Sequence, residues 1–379
     1  MQLAVSVLTE EQRALRESTS RFAQERYPLA KVRETADSGA PLPAGFLRQA
    51  AELGWFAMLV PESLGGGTVS GRPTADAAVI AEERGRWLQP AAFVPANVVA
   101  LALAESGSEA QQTKILPAVI AGEQRVSWAF AGDRGSGAPG GVGYVRTPEG
   151  IRLSGTATSV QDGGESDHLL VTATGPDGPV QALVSRDAPG LTVQPLTSLD
   201  VTRRFWSARF DDVDVSTPDL VGEPGEATET LLRRQLDLAA LLTCAEMVGA
   251  MSSDLELAIA YAKNRTAFGR PIGSFQALKH QLADAATLVE ASKAAVDVAV
   301  DARDGGGPPD AASVAKAFVS RSAVEVAHVC WQVFGGIAYT WEHDQHLYLR
   351  RLTTDALLYG DVGDHHRRIL ALQGVPDGH

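Results

Sequence analysis

Apolar positions recur at helical spacing in the first part of the chain, give way to alternation in the middle, and return to helical spacing to the end. Thr9-Glu10-Glu11-Gln12 reads as a capping box, with the Thr9 hydroxyl and the Gln12 amide each satisfying a backbone donor of the first turn. Leu15 and Phe22 continue that period. A second helix is expected from about Pro43 to Leu53, with Pro43 suited to a first turn and Gly54 to the stop. The breaker-rich Val60–Gly67 loop follows, and then helices over roughly 73–85, 91–105 and 108–121. From Arg125 to Gly225 short β-rich runs are punctuated by Gly, Pro and Asp. Two hairpins stand out, one around Pro148-Glu149-Gly150 and one around Gly175-Pro176-Asp177-Gly178, and the whole suggests a small antiparallel barrel or sandwich. Long apolar-periodic runs then cover 227–263, 274–303, 310–334 and about 344–371. Their short connections, such as Asp304–Pro309, imply an antiparallel four-helix bundle. The expected class is α+β in three parts: helices over 1–122, a β domain over 123–226 and a helical bundle over 227–379.

Composition narrows the functional classes. A formal net charge of -13 argues against a nucleic-acid partner, because backbone binding needs a basic face. Cys244 and Cys330 lie far apart in apolar helical runs with no CxxC pair, which argues against a structural disulfide or zinc site and for a reducing, cytoplasmic setting. The N-terminal MQLAVSVLTEEQ lacks the basic region of a signal peptide. No run of about 18 apolar residues suggests a membrane span.

The richest stretch is Tyr261–Asp284. Arg265 and Phe268 are three apart, so they are expected on one face of a helix near its C-terminal end, with Gln276 opening the next helix after Pro271 and Gly273. A guanidinium, a ring and an amide meeting at a bend suit a flat anionic ligand such as a nucleotide pyrophosphate. An ordinary helix-turn-helix with a surface arginine fits the same residues. Trp331–Tyr339 is the second such stretch. Gly335-Gly336 after a long helix lets backbone amides approach a ligand, although a plain C-cap also uses glycine.

Arg265, Phe268-Gly269, Phe275-Gln276 and Leu282-Ala283-Asp284 together resemble the acyl-CoA dehydrogenase family in residue type and spacing, and Gln332, Gly335-Gly336 and Tyr339 extend the resemblance. It spans nearly the whole chain and implies the helix, sheet, helix order read above. It also implies that Arg265, Phe268, Gln276, Gln332 and Gly336 reach across a subunit interface to the ADP half of a neighbour's FAD. Ala338 stands where the family has a third glycine.

Other parts depart from the family. Gly135–Gly140 fits GxGxxG, but Pro139, further glycines and a strand follow rather than a helix, so it is not a dinucleotide fingerprint. In the family this loop touches the flavin ring and the acyl thioester; most of its usual run is missing from Phe130–Gly137. Ser159-Val160-Gln161 stands where a Trp-Ile-Thr run backs the ring. The resemblance places Tyr359 where many members carry the glutamate that removes the α-proton, and Ala239 at the alternative base position. A tyrosine of pKa about 10 would need roughly 4 kcal/mol of differential stabilisation to serve near neutrality. Asp361 and Glu246 are the replacement candidates, each also readable as a helix-end or helix-surface acid.

Three lesser clusters read as structural. Trp341–Asp344 with His346 lacks a second metal ligand at helical spacing and reads as packing. His365–Arg368 reads as a basic last turn, and Asp200–Arg204 as a polar turn before a strand.

The resemblance points to the branch lacking the catalytic glutamate, as in subunits of heterotetrameric members. The expected activity is FAD-dependent α,β-desaturation of an acyl-CoA, with this chain as the base-lacking half of an α2β2 assembly with a paralogue. Electron-transfer flavoprotein is a possible electron acceptor. A self-sufficient homotetrameric flavoenzyme with an unusual base and a non-catalytic scaffold are the alternatives. No resident metal is expected.

Overall fold

The computed structural model describes residues 8–132 and 140–374. Helix α1 (Glu10–Arg26) opens with the expected capping box, each bond 3.2 Å. The Gln12 amide goes on to donate to the buried Asp76 at 2.9 Å. A separate short helix α2 (Leu29–Ser38) follows Pro28, which the periodicity of the segment did not reveal. Next come α3 (Phe46–Glu52), α4 (Pro73–Arg86), α5 (Phe93–Ser106), and a π turn over Gln111–Ile115 that runs into α6 (Leu116–Ile120). α5 is apolar on all sides because it is buried on all sides.

The middle of the chain forms one seven-stranded sheet from β1 (Val126–Ala129), β2 (Val142–Thr147), β3 (Gly150–Gln161), β4 (His168–Gly175), β5 (Gly178–Ser185), β6 (Leu191–Leu196) and β7 (Phe205–Ser216). The order is β1-β4-β2-β3-β7-β6, with β5 on β4. Both expected hairpins form: Thr147 pairs with Gly150, and Gly175 with Gly178. The sheet is mixed rather than purely antiparallel, because β1 and β2 both pair with β4 in parallel. Alternation reveals a strand's buried face but not its neighbour's direction.

The C-terminal helices are α7 (Glu226–Asn264), α8 (Gln276–Gly305), α9 (Ala311–Phe334), α10 (Gln345–Asp355) and α11 (Val362–Leu372). The long last helix expected from the pattern is therefore two helices. The break falls at Tyr359 and Gly360, both at positive φ (59° and 108°), after which Asp361 caps α11. His365–Arg368 consequently lies in the middle of α11, not in a last turn. His365 is buried, its ring nitrogens 3.1 Å from Ser313 Oγ and from the Tyr359 carbonyl.

Helix α7 is the axle of the molecule. Contrary to the expectation of no such run, it is the one described helix long and apolar enough, by length and composition, to cross a membrane. Its most apolar window is 83% buried inside the fold, so other parts of the protein cover that surface. α4 crosses it at very close range. A Cβ on Gly249 would lie 1.8 Å from the Glu82 carbonyl oxygen, and one on Gly85 1.9 Å from that of Glu246. These reciprocal glycines let the two backbones touch, and the crossing sets Arg84 of α4 beside Glu246 of α7.

Candidate functional site

The resemblance draws attention to two places, and the structure treats them differently. The first is one end of the helical bundle, where α7 ends, α8 begins and α9 ends. Arg265 is not helical. It caps α7 in an extended conformation, its N–H donating to the Tyr261 carbonyl at 2.8 Å. Thr266–Ala267 (β8) then pairs with Arg270–Pro271 (β9) around a tight turn. Phe268 and Gly269 form its tip at φ 52° and 76°, the pair of left-handed residues that a two-residue hairpin requires. Arg265 and Phe268 therefore share a projecting hairpin instead of a helix face: Gly269 makes the reversal cheap, and Pro271 cannot continue a helix. Phe268 is 94% exposed. Gln276 opens α8 as expected, and the Arg270 guanidinium lies 4.1 Å over the Phe275 ring.

The second stretch reaches the same end. α9 stops at Phe334, and Gly335–Tyr339 forms a short 3-10 turn. The Phe334 ring sits 5.0 Å from that of Tyr261, one turn before Arg265, so the hairpin and the double-glycine turn are packed against each other's roots. An open groove of about 410 Å³ between α8 and α9, lined by Gln281, Arg321, His328 and Gln332, ends here.

The side chains of Arg265, Gln276 and Gln332 are exposed, and within the described residues they have no hydrogen bond or ion pair. The Ser274 hydroxyl just before Gln276 is buried without a partner. A Cβ on Gly336 would meet nothing within 4 Å, so packing inside this chain does not require glycine there. Close approach of an outside group would. A free guanidinium, two free amides, a bare backbone turn and an exposed ring form a donor set that suits a pyrophosphate and its ribose.

The second place is the contact of β1 with the α10–α11 break. Tyr359 is buried, and its ring lies 5.9 Å from Phe130 and 6.2 Å from Trp128, the three nearly parallel. Trp128 and Phe130 are themselves stacked at 4.1 Å, and the Trp128 indole donates to Thr172 at 3.0 Å. Burial pushes the Tyr359 hydroxyl above the ordinary phenol range, away from what a base would need. Val160 and Gln161, in the run that replaces Trp-Ile-Thr, are buried. The Gln161 amide donates to the Ala91 carbonyl at 2.9 Å. Within the described residues the Tyr359 ring is thus flanked by Trp128 and Phe130 rather than by a carboxylate. Apart from Gly140, the stretch that fits GxGxxG lies outside the described residues.

Neither substitute base is free. Asp361 is the exposed N-cap of α11, accepting from the Asp364 N–H at 2.8 Å, the helix-end role that was one reading of it. Glu246 is no helix-surface acid. Its side chain is 3% exposed and pairs with Arg84 at 3.3 Å and Arg203 at 3.6 Å. Asp200–Arg204 likewise proves to be more than a polar turn. Asp200 accepts from Arg203 and Arg351, each at 2.8 Å, and Arg203 also binds Asp355. The two guanidinium groups hold the Asp200 carboxyl well below the usual range, against the pull of burial. Burial pushes Arg84 down to about 10, offset in part by Glu246.

The cluster thus links α4, α7, α10 and the loop before β7. Sequence reasoning missed it, although Asp200/Arg203 and Arg351/Asp355 are opposite charges at i,i+3 and i,i+4. Ala239 is buried in α7 and carries no chemistry. The His343/His346 region shows packing: His343 lies 4.3 Å from Phe334, and His346 stacks 4.6 Å from Trp341. No group of His, Cys, Asp and Glu among the described residues could hold a metal ion.

Comparison with known proteins agrees with the architecture. Residues 9–123 match the family model of the acyl-CoA dehydrogenase N-terminal domain, and residues 230–371 that of the C-terminal domain. Acyl-CoA dehydrogenase IpdE2 of Mycolicibacterium smegmatis is 30% identical over 365 residues, covering 96% of this chain and 99% of the relative. A crystal structure of the ChsE4-ChsE5 complex from Mycobacterium tuberculosis superposes with a TM-score of 0.88 at 24% identity, covering 100% of both chains. A variant of the Tcur3481-Tcur3483 steroid ACAD superposes with a TM-score of 0.84 at 30% identity, covering 96% of this chain and 98% of that one. With helices, sheet and helices in this order, and relatives matching it from end to end, the chain belongs to the acyl-CoA dehydrogenase family of FAD-dependent oxidoreductases.

Proposed function

We propose that this chain is the base-lacking subunit of a heteromeric acyl-CoA dehydrogenase, an α2β2 assembly in which it completes a paralogue's FAD site. One observation carries the reading. The position expected to hold a proton-removing carboxylate is filled by Tyr359, stacked with Trp128 and Phe130, while Arg265, Gln276 and Gln332 are exposed with no partner among the described residues. The ChsE4-ChsE5 complex and the Tcur3481-Tcur3483 enzyme, both heteromeric, support it.

In this reading Arg265, Gln276 and Gln332 would hold the adenosine diphosphate part of the partner's FAD, the guanidinium suiting its pyrophosphate charge. Gly336 would let the backbone come close, and the exposed Phe268 ring at the hairpin tip would supply an apolar surface for the nucleotide. When bound in the partner, FAD supplies the hydride acceptor for an α,β-desaturation whose α-proton goes to a partner carboxylate. This chain moves no proton; it binds, orients and excludes water. The steroid ACAD among the relatives makes polycyclic acyl-CoA thioesters the first substrates to assay.

The test is flavin content and turnover of the chain purified alone and co-expressed with candidate paralogues. The expected result is little flavin and no dehydrogenation alone, with both restored by the right paralogue. Full activity and one flavin per chain from the lone protein would overturn the reading in favour of a homotetramer.

A further inference from the structure

Helix α2 sits far along the chain from the grip, yet it is tied to it. Arg33 and Asp37 are four apart and share one face of α2. The Asp37 carboxylate accepts the Trp341 indole N–H at 2.5 Å. Arg33 donates to the Trp341 carbonyl at 3.1 Å and pairs with Asp344. Trp341 is held from the other side as well, stacked on His346 at 4.6 Å with the Arg350 guanidinium 5.7 Å over its ring.

From Trp341 the order passes in two directions. Thr340 donates its N–H and its hydroxyl to the Ile337 carbonyl at 3.0 and 2.9 Å, which closes the Gly335–Tyr339 turn. His343 packs on Phe334 at 4.3 Å, and Phe334 packs on Tyr261 at 5.0 Å, one turn from Arg265. The segment between α9 and α10 has only short turns of its own. With glycine at 335 and 336 it would sample many backbone states if left untied.

We propose that α2 is a brace for the nucleotide grip, with Arg33 and Asp37 acting as positioning residues that hold the Gly335–Gly336 turn, and through Phe334 the Arg265 hairpin, in the geometry that receives FAD. A ligand pays less ordering entropy when its site is held in place beforehand. Neither residue touches the nucleotide; both act through Trp341 and Asp344. This inference rests on the grip reading given above.

The experiment measures FAD affinity of the FAD-bearing assembly, by fluorescence titration after flavin removal, for Asp37→Ala, Arg33→Met, Trp341→Phe and Arg265→Ala. Melting of the flavin-free assembly is followed in parallel. Asp37→Ala and Arg33→Met are expected to weaken FAD binding by roughly tenfold, the scale of losing a hydrogen bond to a charged group, with flavin-free melting and assembly mass unchanged. Trp341→Phe keeps the stack on His346 but loses the Asp37 bond, and should fall between. Arg33→Lys should recover part of the loss.

If Arg265→Ala weakens FAD binding while Asp37→Ala and Arg33→Met do not, the brace is refuted and the grip stands. If Arg265→Ala has no effect, the grip reading itself fails. A drop in melting temperature with FAD affinity unchanged would assign α2 a purely structural role and overturn the proposal.

Discussion

Replacing Glu246 by glutamine separates a structural carboxylate from a catalytic one. Glu246 has 3% of its side chain exposed, 3.3 Å from Arg84 and 3.6 Å from Arg203. The amide keeps the shape and one acceptor but removes the negative charge. Arg84 then has no carboxylate partner and keeps the neutral acceptors, the amide oxygen at 246 and the carbonyls of Pro90 and Ala91 at 2.8 and 3.2 Å, while Arg203 keeps Asp200 and Asp355. Removing one partner of a buried ion pair costs about 3–5 kcal/mol. Because the amide can still accept from Arg84 and Arg203 has two other carboxylates, the lower end applies, about 3 kcal/mol. At a urea dependence of ~3 kcal/mol per molar, the midpoint should fall by about 1 M. Turnover per assembled enzyme, measured below that midpoint, should be unchanged. The opposite pattern, stability within ~0.5 kcal/mol of the parent and turnover abolished with flavin retained, would refute the reasoning and make Glu246 the base.

Four further outcomes follow from the geometry. Arg265→Ala, at an exposed position with no partner in the chain, should leave folding intact and weaken FAD binding in the assembly at least about tenfold, read as flavin retained after gel filtration. Tyr359→Glu should not confer dehydrogenation on the lone chain, because the new carboxylate would lie against Trp128 and Phe130; turnover from that variant would show that the stack yields to substrate and flavin. Gly249→Ala should destabilise by about 3 kcal/mol or more in chemical denaturation, since its Cβ would fall 1.8 Å from a backbone oxygen of α4 that cannot move aside. Burial and the nearby Lys316 push His365 down from 6.5 to about 4. The unfolded chain therefore takes up that proton first as pH falls, and stability should be lost between about pH 6.5 and pH 4, on the order of 3 kcal/mol in all. His365→Gln should flatten that part of the pH profile, and an unchanged profile would show that another group governs acid unfolding.

The sequence carried the architecture well where one element could speak for itself. The Thr9–Gln12 capping box, both hairpins and the long C-terminal helices formed where local chemistry put them. Errors arose where a local pattern had two meanings. Arg265 and Phe268 are spaced as on a helix, but Phe268-Gly269 at positive φ with Pro271 behind them make a hairpin. The run at 344–371 keeps helical periodicity across a break, because Tyr359 and Leu358 remain buried in the reversed chain as they would in a helix. α2 was hidden because Val32 is its one buried residue, too little to set a period.

What the sequence determined by itself is the set of outward-facing groups: Arg265, Gln276, Gln332, Gly336 and the Phe268 tip lie close to helix ends and turns, whose identity depends on neighbours in the chain. What only the tertiary structure decided lies between elements. Glu246 became a core ion because Gly85 and Gly249 let α4 carry Arg84 up against it, and Asp200, Arg203, Arg351 and Asp355 came together from segments some 150 residues apart. The stack of Tyr359 with Trp128 and Phe130 needs β1 and the α10–α11 break to meet. Whether a charge is solvated or buried, and whether a cavity is open or filled, depends on surfaces contributed by distant parts of the chain, so no local pattern of residues can encode it.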